Sequence, residues 1–338
     1  MPAIQKTRTA WAKVMENSRP LVAIVLLIAC FVFVGFHFEE ASVSLAVLKE
    51  ANPWWIALAL ILQLLTYACS GGIFYEILRA AKYHIPLRRL AVLSVERISV
   101  NQIAPAAGLS GNVYIFMAFR RFDIPRGVAA EAVFLDTLAY HAAYALCTVL
   151  ALGIVLGLHA DSALIITELL VYLVVTAVIL GGIFWIFSYS DRELPDKFMK
   201  WKLFREITRS LKAVRPERLQ APWVLSIVTV YDLLVFVLDG ATLWAIMHII
   251  HEPLTFMVSF TVFIIASIAA AMSLLPGGVG SFEAACVLAL RWFGVGLGAA
   301  LTATLLLRAL TLWLPLIPGS IFAAKYVVKG EDAALTTG

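Results

Sequence analysis

Three ionisable side chains lie inside apolar segments of this chain, where they could bind a charged group or a proton. Glu283 closes the glycine-rich stretch 273–283, Arg308 lies in the next apolar segment, and Asp136 lies in an earlier one. A charge within a lipid bilayer is costly unless it is paired or hydrated, so such residues often mark ion or substrate sites. These three residues are therefore the first candidates for function.

The glycine-rich stretch interrupts a long apolar run. Pro276 lacks a backbone donor and Gly277, Gly278 and Gly280 lack side-chain restraint, so a helix must break there. Helices broken at membrane depth line protein-enclosed sites, and transporters bind substrate at them. The N–H groups at the start of the next helix favour an anion such as a phosphate headgroup. Glu283 opposes that anion unless it binds the cationic part of a zwitterion, or a proton.

The composition is that of a membrane protein. The chain has 338 residues, of which 62% are hydrophobic and 14% charged, whereas a soluble domain carries about 25% charged residues. Several apolar runs reach the ~20 residues that cross a bilayer, and the alternating strands of an outer-membrane barrel are absent. The four cysteines and six histidines show no metal-binding spacing. The sequence predicts an all-α polytopic membrane bundle without metal, cofactor or nucleic-acid partner.

The hydropathy pattern divides this single integral membrane domain, 1–338, into about six full spans and two interrupted segments. The spans are predicted at 20–38, 53–78, 127–158, 163–187, 222–250 and 298–324. The interrupted segments are predicted to be re-entrant hairpins, because the return leg 113–119 is too short to cross a bilayer at 1.5 Å per residue. Most lysines and arginines fall on one side of this arrangement, which predicts a plasma (inner) membrane protein with both termini cytoplasmic.

The segment 191–220 is the one long polar stretch between predicted spans. Nine basic residues lie within it, and Phe198, Trp201 and Phe204 recur at helical spacing. This pattern predicts an amphipathic cytoplasmic helix on the anionic headgroups of the inner leaflet. A solvated linker is the alternative, although it would leave the aromatic side chains exposed.

Two parts of the chain, 53–158 and 222–325, share the same order of features. Trp54 is followed after seventeen residues by Gly71, and Trp223 is followed after seventeen residues by Gly240. Each part continues with an apolar run broken at a proline. The charge pattern orients the two parts in opposite directions, so the sequence predicts an inverted repeat with one hairpin entering from each face.

Equivalent depths in the two repeats predict that Asp136 and Arg308 pair across the repeat interface, in a structural or a functional role. Asp232 and Asp239 are seven residues apart and should share an inward face of their helix. Adjacent Glu96 and Arg97 point about 100° apart on a helix and cannot pair on one face.

The breaks and the charges together give the candidate substrate-binding residues. They are Asn101, Gln102, Pro105, Gly108, Asn112, Asp136, Pro276, Gly277, Gly278, Gly280, Ser281, Glu283 and Arg308. No nucleophile–base arrangement supports catalysis, so no catalytic residue is assigned.

These residues resemble a known family. The run 276–280 with Glu283, Arg308 and Pro318–Gly319 is similar to the second half of the lysylphosphatidylglycerol synthase transmembrane-region family, also called flippase-like. The run 101–105 with Gly108 and Asp136 resembles its first half, and the resemblance covers roughly residues 20–325. The family includes the flippase portion of the bacterial multiple-peptide-resistance factor and membrane proteins linked to hopanoid synthesis. The resemblance implies lipid translocation or handling.

The chain departs from the family pattern at the first break. Family members usually carry an arginine and a glycine–glutamate pair there, whereas this chain has Ala106-Ala107-Gly108 and Gly111-Asn112. The identity of the headgroup therefore stays open. The sequence shows no aminoacyl-transferase domain, so we do not expect it to make lysylphosphatidylglycerol.

Three functions fit these observations. The first is a flippase or lipid transporter that passes a polar headgroup through a cavity between the repeats. The second is an enzyme or accessory membrane protein of lipid, hopanoid or polyprenyl-glycan synthesis. The third is a proton-coupled transporter of a small solute, because inward-facing acids suit proton coupling. The sequence leaves open whether the protein is a homo-oligomer.

Overall fold

A computed structural model describes residues 51–103, 109–158, 163–188, 222–273, 275–316 and 318–319. All described residues belong to one compact unit. The predicted first span 20–38 and the predicted amphipathic segment 191–220 lie outside the described residues. So do the candidate site residues Pro105 and Gly108.

The described residues form an all-α structure. Its helices are α1 Pro53–Ala80, α2 Leu87–Ile103, α3 Leu109–Arg121, α4 Arg126–Gly157, α5 Ala163–Ser188, α6 Pro222–Ile249, α7 Phe256–Met272, α8 Ser281–Trp292 and α9 Leu297–Arg308. Helices α1, α4, α5 and α6, together with the segment Leu297–Leu316, are long and apolar enough to cross a bilayer. This result confirms a polytopic helical membrane protein and agrees with the five spans predicted for these residues.

The start of α1 follows ordinary capping chemistry. Helix α1 begins at Pro53, where the missing N–H costs no helical hydrogen bond. The side chain of Asn52 accepts a hydrogen bond from the N–H of Trp54 at 3.1 Å.

The outer surface is apolar: on α5, for example, Leu164, Val174 and Val178 are all more than half exposed. A bilayer would cover such a surface.

Two helix pairs, α2–α3 and α7–α8, are formed by shorter helices. Helices α2 and α7 have 17 residues each, whereas α3 has 13 and α8 has 12. At 1.5 Å per residue their lengths are about 26, 20 and 18 Å, each less than the ~30 Å hydrocarbon core. The members of each pair pack against each other.

The predicted break at Pro276 is confirmed. Helix α7 ends at Met272, a 3₁₀ turn covers Pro276–Gly278, and α8 begins at Ser281. The other break is shorter than predicted, since the sequence placed it at 101–112 but α3 already begins at Leu109. Gly111 and Asn112 are therefore helical.

Helices α1 and α6 form the most extensive contact in the described structure. Helix α2 packs on α1, α7 packs on α6, and α4 contacts both α6 and α7. An aromatic group joins α4 to α6, where the rings of Tyr140 and Tyr144 lie 5.5 and 4.7 Å from that of Phe236. The paired helices are thus held against the long helices by close contacts.

Corresponding glycines make corresponding close contacts. A Cβ atom at Gly71 of α1 would lie 2.7 Å from the Cα of Ala91 in α2, twenty residues later. A Cβ atom at Gly240 of α6 would lie 3.0 Å from the Cα of Phe260 in α7, also twenty residues later. Glycine is needed at both positions because the backbones approach too closely for a side chain.

The turns after these helices also recur. Lys82 and His251 both have positive φ, 65° and 60°. The N–H of the next residue donates to a carbonyl five residues back in each case, from Tyr83 to Leu78 and from Glu252 to Met247. Later in each part, Arg120 and Arg291 donate to carbonyls four residues ahead, those of Ile124 and Val295.

Candidate substrate site at the helix breaks

Arg308 holds the second helix break in place. Its Nε lies 2.6 Å from Glu283 Oε1, and its Nη2 donates to the carbonyl of Gly277 at 2.7 Å. Its guanidinium also lies 4.5 Å from the ring centre of Phe282. The arginine side chain is 8% exposed and that of Glu283 is 23% exposed. One residue of α9 thus contacts both the turn and the first turn of α8.

The glycines of this break are required by backbone geometry. Gly277 and Gly278 both have φ of 61°, and Gly280 has φ of 85°. These values lie in the left-handed region, which disfavours residues with a Cβ atom. A Cβ atom at Gly278 would also collide with the side chain of Ala270 and lie 3.0 Å from its Cα. The turn therefore packs directly against α7.

Glu283 already caps the start of α8. Its Oε2 accepts a hydrogen bond from the N–H of Gly280 at 2.6 Å, and its Oε1 pairs with Arg308. The sequence suggested that a bound anion would meet this helix start. The structure places the protein's own carboxylate there, which satisfies one of the free N–H groups. A ligand anion would have to displace Glu283 or bind Arg308 beside it.

Ser281 closes the break from the other side. Its hydroxyl makes hydrogen bonds of 2.9 Å with the carbonyl of Gly278 and with the hydroxyl of Ser273. Since Ser273 directly follows α7 and Ser281 begins α8, these bonds bridge the two helices. This candidate residue therefore shapes the turn.

The first break is bridged by an asparagine. The Oδ1 of Asn101 in α2 accepts hydrogen bonds from the N–H of Gly111 at 2.7 Å and the hydroxyl of Ser110 at 3.1 Å. The amide of Asn112 donates to the hydroxyl of Thr137 in α4 at 3.3 Å. Two candidate site residues thus join the two sides of this break to each other and to α4.

The two breaks contact each other. The side chain of Gln102, at the end of α2, lies directly against Gly277, where a Cβ atom would collide with its Oε1. The hydroxyl of Ser99, one turn earlier in α2, donates to the carbonyl of Pro315 at 2.8 Å. The structure therefore brings candidate residues from both halves of the sequence into one region.

A π turn, Ala309–Trp313, follows Arg308 directly. Pro315 has no N–H to donate to the carbonyl of Thr311, which disfavours a regular helix there. The hydroxyl of Tyr67 in α1 donates to the carbonyl of Leu310 in this turn at 2.9 Å. Such turns occur often at functional sites. Here the turn lies beside the arginine that holds the second break.

The predicted pair between Asp136 and Arg308 is wrong. Asp136 of α4 pairs instead with Arg97 of α2, with Nη1–Oδ1 and Nη2–Oδ2 distances of 2.9 and 2.8 Å. The hydrogen bond to Oδ1 and the close ion contact at Oδ2 hold the two side chains together. The physical reason is that each charge pairs within its own part of the sequence, since Glu283 neutralises Arg308.

Each half thus places one ion pair between a short helix pair and the next long helix. In the first half the cation, Arg97, belongs to the short pair and the acid, Asp136, to the long helix. In the second half the acid, Glu283, belongs to the short pair and the cation, Arg308, to the segment Leu297–Leu316. The acid and the cation thus lie on opposite sides in the two ion pairs.

Helix α6 carries two more inward-facing acids, as the spacing predicted. Asp239 Oδ1 accepts hydrogen bonds from Gln63 Nε2 at 2.9 Å and the hydroxyl of Thr66 at 3.4 Å, both in α1. Asp232 is 4% exposed. It lies within electrostatic range of Asp136 and Arg97.

Sequence reasoning missed Arg97 as a site residue. It correctly excluded a pair with Glu96, whose Oε2 accepts instead from the hydroxyl of Tyr114 at 2.6 Å. The available signal was that two opposite charges lie in apolar segments without an assigned partner. Arg97 is the cation and Asp136 is the acid. Partner choice depends on helix rotation, which the sequence does not give.

We expect Arg97→Gln to destabilise the protein more than Asp136→Asn. Without Arg97, the carboxylates of Asp136 and Asp232 lose their shared cation, whereas without Asp136 the arginine still has Asp232. Breaking a buried pair costs roughly 3–5 kcal/mol when an uncompensated charge remains. Thermal unfolding in detergent should therefore give a lower midpoint for Arg97→Gln.

The pair of Glu76 and Arg79 provides a half-exposed control. Its nitrogen–oxygen distance is 2.9 Å, and the arginine side chain is 50% exposed whereas that of Glu76 is 11% exposed. Arg79→Gln should cost less than Arg97→Gln, because solvent already reaches the Arg79 side of the pair and screens it. Equal unfolding midpoints for Arg97→Gln and Arg79→Gln would contradict the importance given to the buried pair.

Comparison with known proteins identifies the family of this chain. The chain is 20% identical over 321 residues to the UPF0104 membrane protein MJ1595 of Methanocaldococcus jannaschii, which covers 91% of this chain and 95% of the relative. The family model described as lysylphosphatidylglycerol synthase TM region matches residues 21–319, which include both breaks and both ion pairs. The chain therefore belongs to the lysylphosphatidylglycerol synthase transmembrane-region family.

Proposed function

We propose that this protein is a lipid flippase or lipid transporter that moves a polar-headed lipid between the leaflets of the inner membrane. The observation that carries the proposal is the meeting of two helix breaks, each beside an ion pair. A lipid headgroup is charged while its tails are apolar. Such a ligand requires polar contacts at membrane depth within an apolar exterior.

A lipid headgroup could bind reversibly at these ion pairs. A phosphate can form two parallel hydrogen bonds with a guanidinium, as a carboxylate does. It could therefore replace Asp136 on Arg97 or Glu283 on Arg308. The amine of a zwitterionic headgroup would then neutralise the released carboxylate. In the absence of lipid, the internal carboxylates keep both arginines neutralised.

The recurring contacts support an inverted repeat as the frame of this site. The glycine contacts of α1 and α6, the positive-φ turns and the arginine–carbonyl bonds recur in the same order. In the arrangement we propose, α2–α3 and α7–α8 are re-entrant hairpins that enter from opposite faces. Their tips meet where Gln102 contacts Gly277. The headgroup would cross between leaflets at this meeting point.

The basic segments set the proposed orientation. We place both termini and the segment 191–220 in the cytoplasm, where nine basic residues would meet anionic headgroups. In this proposal the protein moves lipid without chemical conversion, and its partners are membrane lipids.

Reconstitution tests the proposal. The purified full chain in vesicles of phosphatidylcholine and phosphatidylglycerol should accelerate exchange of fluorescently labelled phosphatidylglycerol between leaflets, measured by quenching of the outer-leaflet label. Glu283→Gln should reduce this rate at least tenfold, because it removes the charge that restrains Arg308. Arg291→Gln is the matched control, since Arg291 lies in the same helix pair and, among the described residues, donates to the carbonyl of Val295 rather than to an acid.

Labelled phosphatidylcholine, run in parallel, separates an anionic from a zwitterionic headgroup. Exchange no faster than in protein-free vesicles, for either lipid and with a folded protein, would contradict lipid translocation. A new lipid product detected by mass spectrometry in the same vesicles would favour an enzyme instead.

A further inference from the structure

The carboxylate of Asp232 takes no part in either ion pair. This residue of α6 is 4% exposed, and its Oδ2 has no hydrogen-bond partner among the described residues. An ionised carboxylate is very unfavourable in such a place unless a cation or several donors surround it. Asp232 should therefore bind a cation that neutralises it, and a proton is the smallest such cation.

The nearest charges to Asp232 belong to the first ion pair. Both Asp136 and Arg97 lie within electrostatic range of it. The packing of α6 on α4 explains this, because Tyr140 of α4 contacts Phe236, one turn beyond Asp232. One guanidinium thus faces two carboxylates, which leaves one negative charge uncompensated.

Other titratable groups lie on α6 and α4, among them His248, which bonds to the carbonyl of Trp244, and His141 and Tyr144. On α6 itself, Asp239 is another acid, bonded to Gln63 and Thr66 of α1. Tyr140 of α4 is a neutral phenol within range of Asp232. Helix α7 contains no titratable side chain.

The remaining helices that pack on α6 are α1 and α9. In α1, Tyr67 donates to the carbonyl of Leu310, and Glu76 pairs with Arg79. In α9, Arg308 is neutralised by Glu283. The charged groups within electrostatic range of Asp232 are Asp136 and Arg97, and Arg97 already pairs with Asp136.

We propose that Asp232 is a proton-binding site that is coupled electrostatically to the Arg97–Asp136 pair. Arg97 donates to Asp136 Oδ1 at 2.9 Å and lies 2.8 Å from Oδ2, so its charge is already matched by that carboxylate. Asp232 then carries the proton that keeps the group neutral. This assignment holds whatever the substrate is.

The site provides a link between protons and substrate. If a phosphate headgroup draws Arg97 away from Asp136, which rests on the proposed function, Asp136 and Asp232 lose the cation within their electrostatic range. Asp232 then holds its proton more tightly, because ionisation would place a second negative charge beside Asp136. Headgroup binding and proton binding would therefore favour each other.

Infrared spectroscopy of the protein in vesicles tests the proton site. The wild-type protein should show the C=O stretch of a protonated carboxyl group at neutral pH, and this band should disappear as the pH rises. The component should be absent in Asp232→Asn and retained in Asp239→Asn. A band that is unchanged in Asp232→Asn would overturn the proposal.

Two further variants test the coupling. Asp136→Asn should lower the pH at which the Asp232 band disappears, because it removes a neighbouring anion and frees Arg97. Arg97→Gln should raise that pH, because it removes the cation. Identical titrations in both variants would overturn the coupling.

The salt used in the vesicles distinguishes a proton from a metal cation. The titration should be the same in sodium and in choline chloride, and loss of the band only in sodium would overturn the proton in favour of sodium. None of these spectra requires lipid movement. Failure of the proton site is therefore distinguishable from failure of the proposed function.

Discussion

Replacing Arg308 with glutamine should abolish function and lower stability by about 3 kcal/mol or more, the scale for breaking a buried ion pair. Three interactions end at this guanidinium: the pair with Glu283, the bond to the Gly277 carbonyl and the contact with Phe282. Its loss leaves Glu283 without a cation and the turn without its donor. Thermal unfolding and lipid exchange should both show the defect.

The double variant Arg308→Gln/Glu283→Gln separates the two effects. It leaves no uncompensated charge, so part of the lost stability should return. Lipid exchange should stay absent, because the phosphate-binding guanidinium is gone. Recovery of exchange together with stability would show that Arg308 only supports the fold, and would contradict its role in the site.

Gly278→Ala should be the most damaging alanine substitution among the glycines of the second break. It combines positive φ with a collision against Ala270, whose Cα would lie 3.0 Å from the new Cβ. The left-handed conformation costs roughly 1–2 kcal/mol and the added volume roughly 1–3 kcal/mol. Unfolding midpoints in detergent would measure the sum.

Two glycines of the same region serve as graded controls. Gly280 has φ of 85° but open space around its Cβ position, so Gly280→Ala should show the conformational cost alone. Gly298 lies in α9 with open space and no positive φ, so Gly298→Ala should be neutral or slightly stabilising. Equal effects at Gly278 and Gly280 would show that α7 yields to the added methyl group.

The second break could be predicted from the sequence because it depends on local backbone chemistry. Pro276 and the glycines that follow allow few other conformations, and the structure confirms the interruption there. The cap of α8 was readable as well, since a glutamate three residues after Gly280 is the spacing of a capping box. That spacing would have indicated that Glu283 occupies the helix start.

The partners in each ion pair could not be predicted from the sequence in the same way. The sequence shows that Asp136, Arg97, Glu283 and Arg308 all lie in apolar segments, but not which side chains face one another. Partner choice follows from the rotation of each helix and from contacts between helices distant in sequence. The predicted repeat placed Asp136 and Arg308 at equivalent depths and therefore paired them. That pairing was wrong, because each of them pairs with a residue of its own half.

The glycine contacts of α1 and α6 limit how this protein can move. At Gly71 and Gly240 the long helix approaches the next helix so closely that neither can slide along the other. Each long helix and the helix it contacts should therefore keep their register in any motion of the protein. A passage of the proposed kind would have to open without α1 sliding along α2 or α6 along α7.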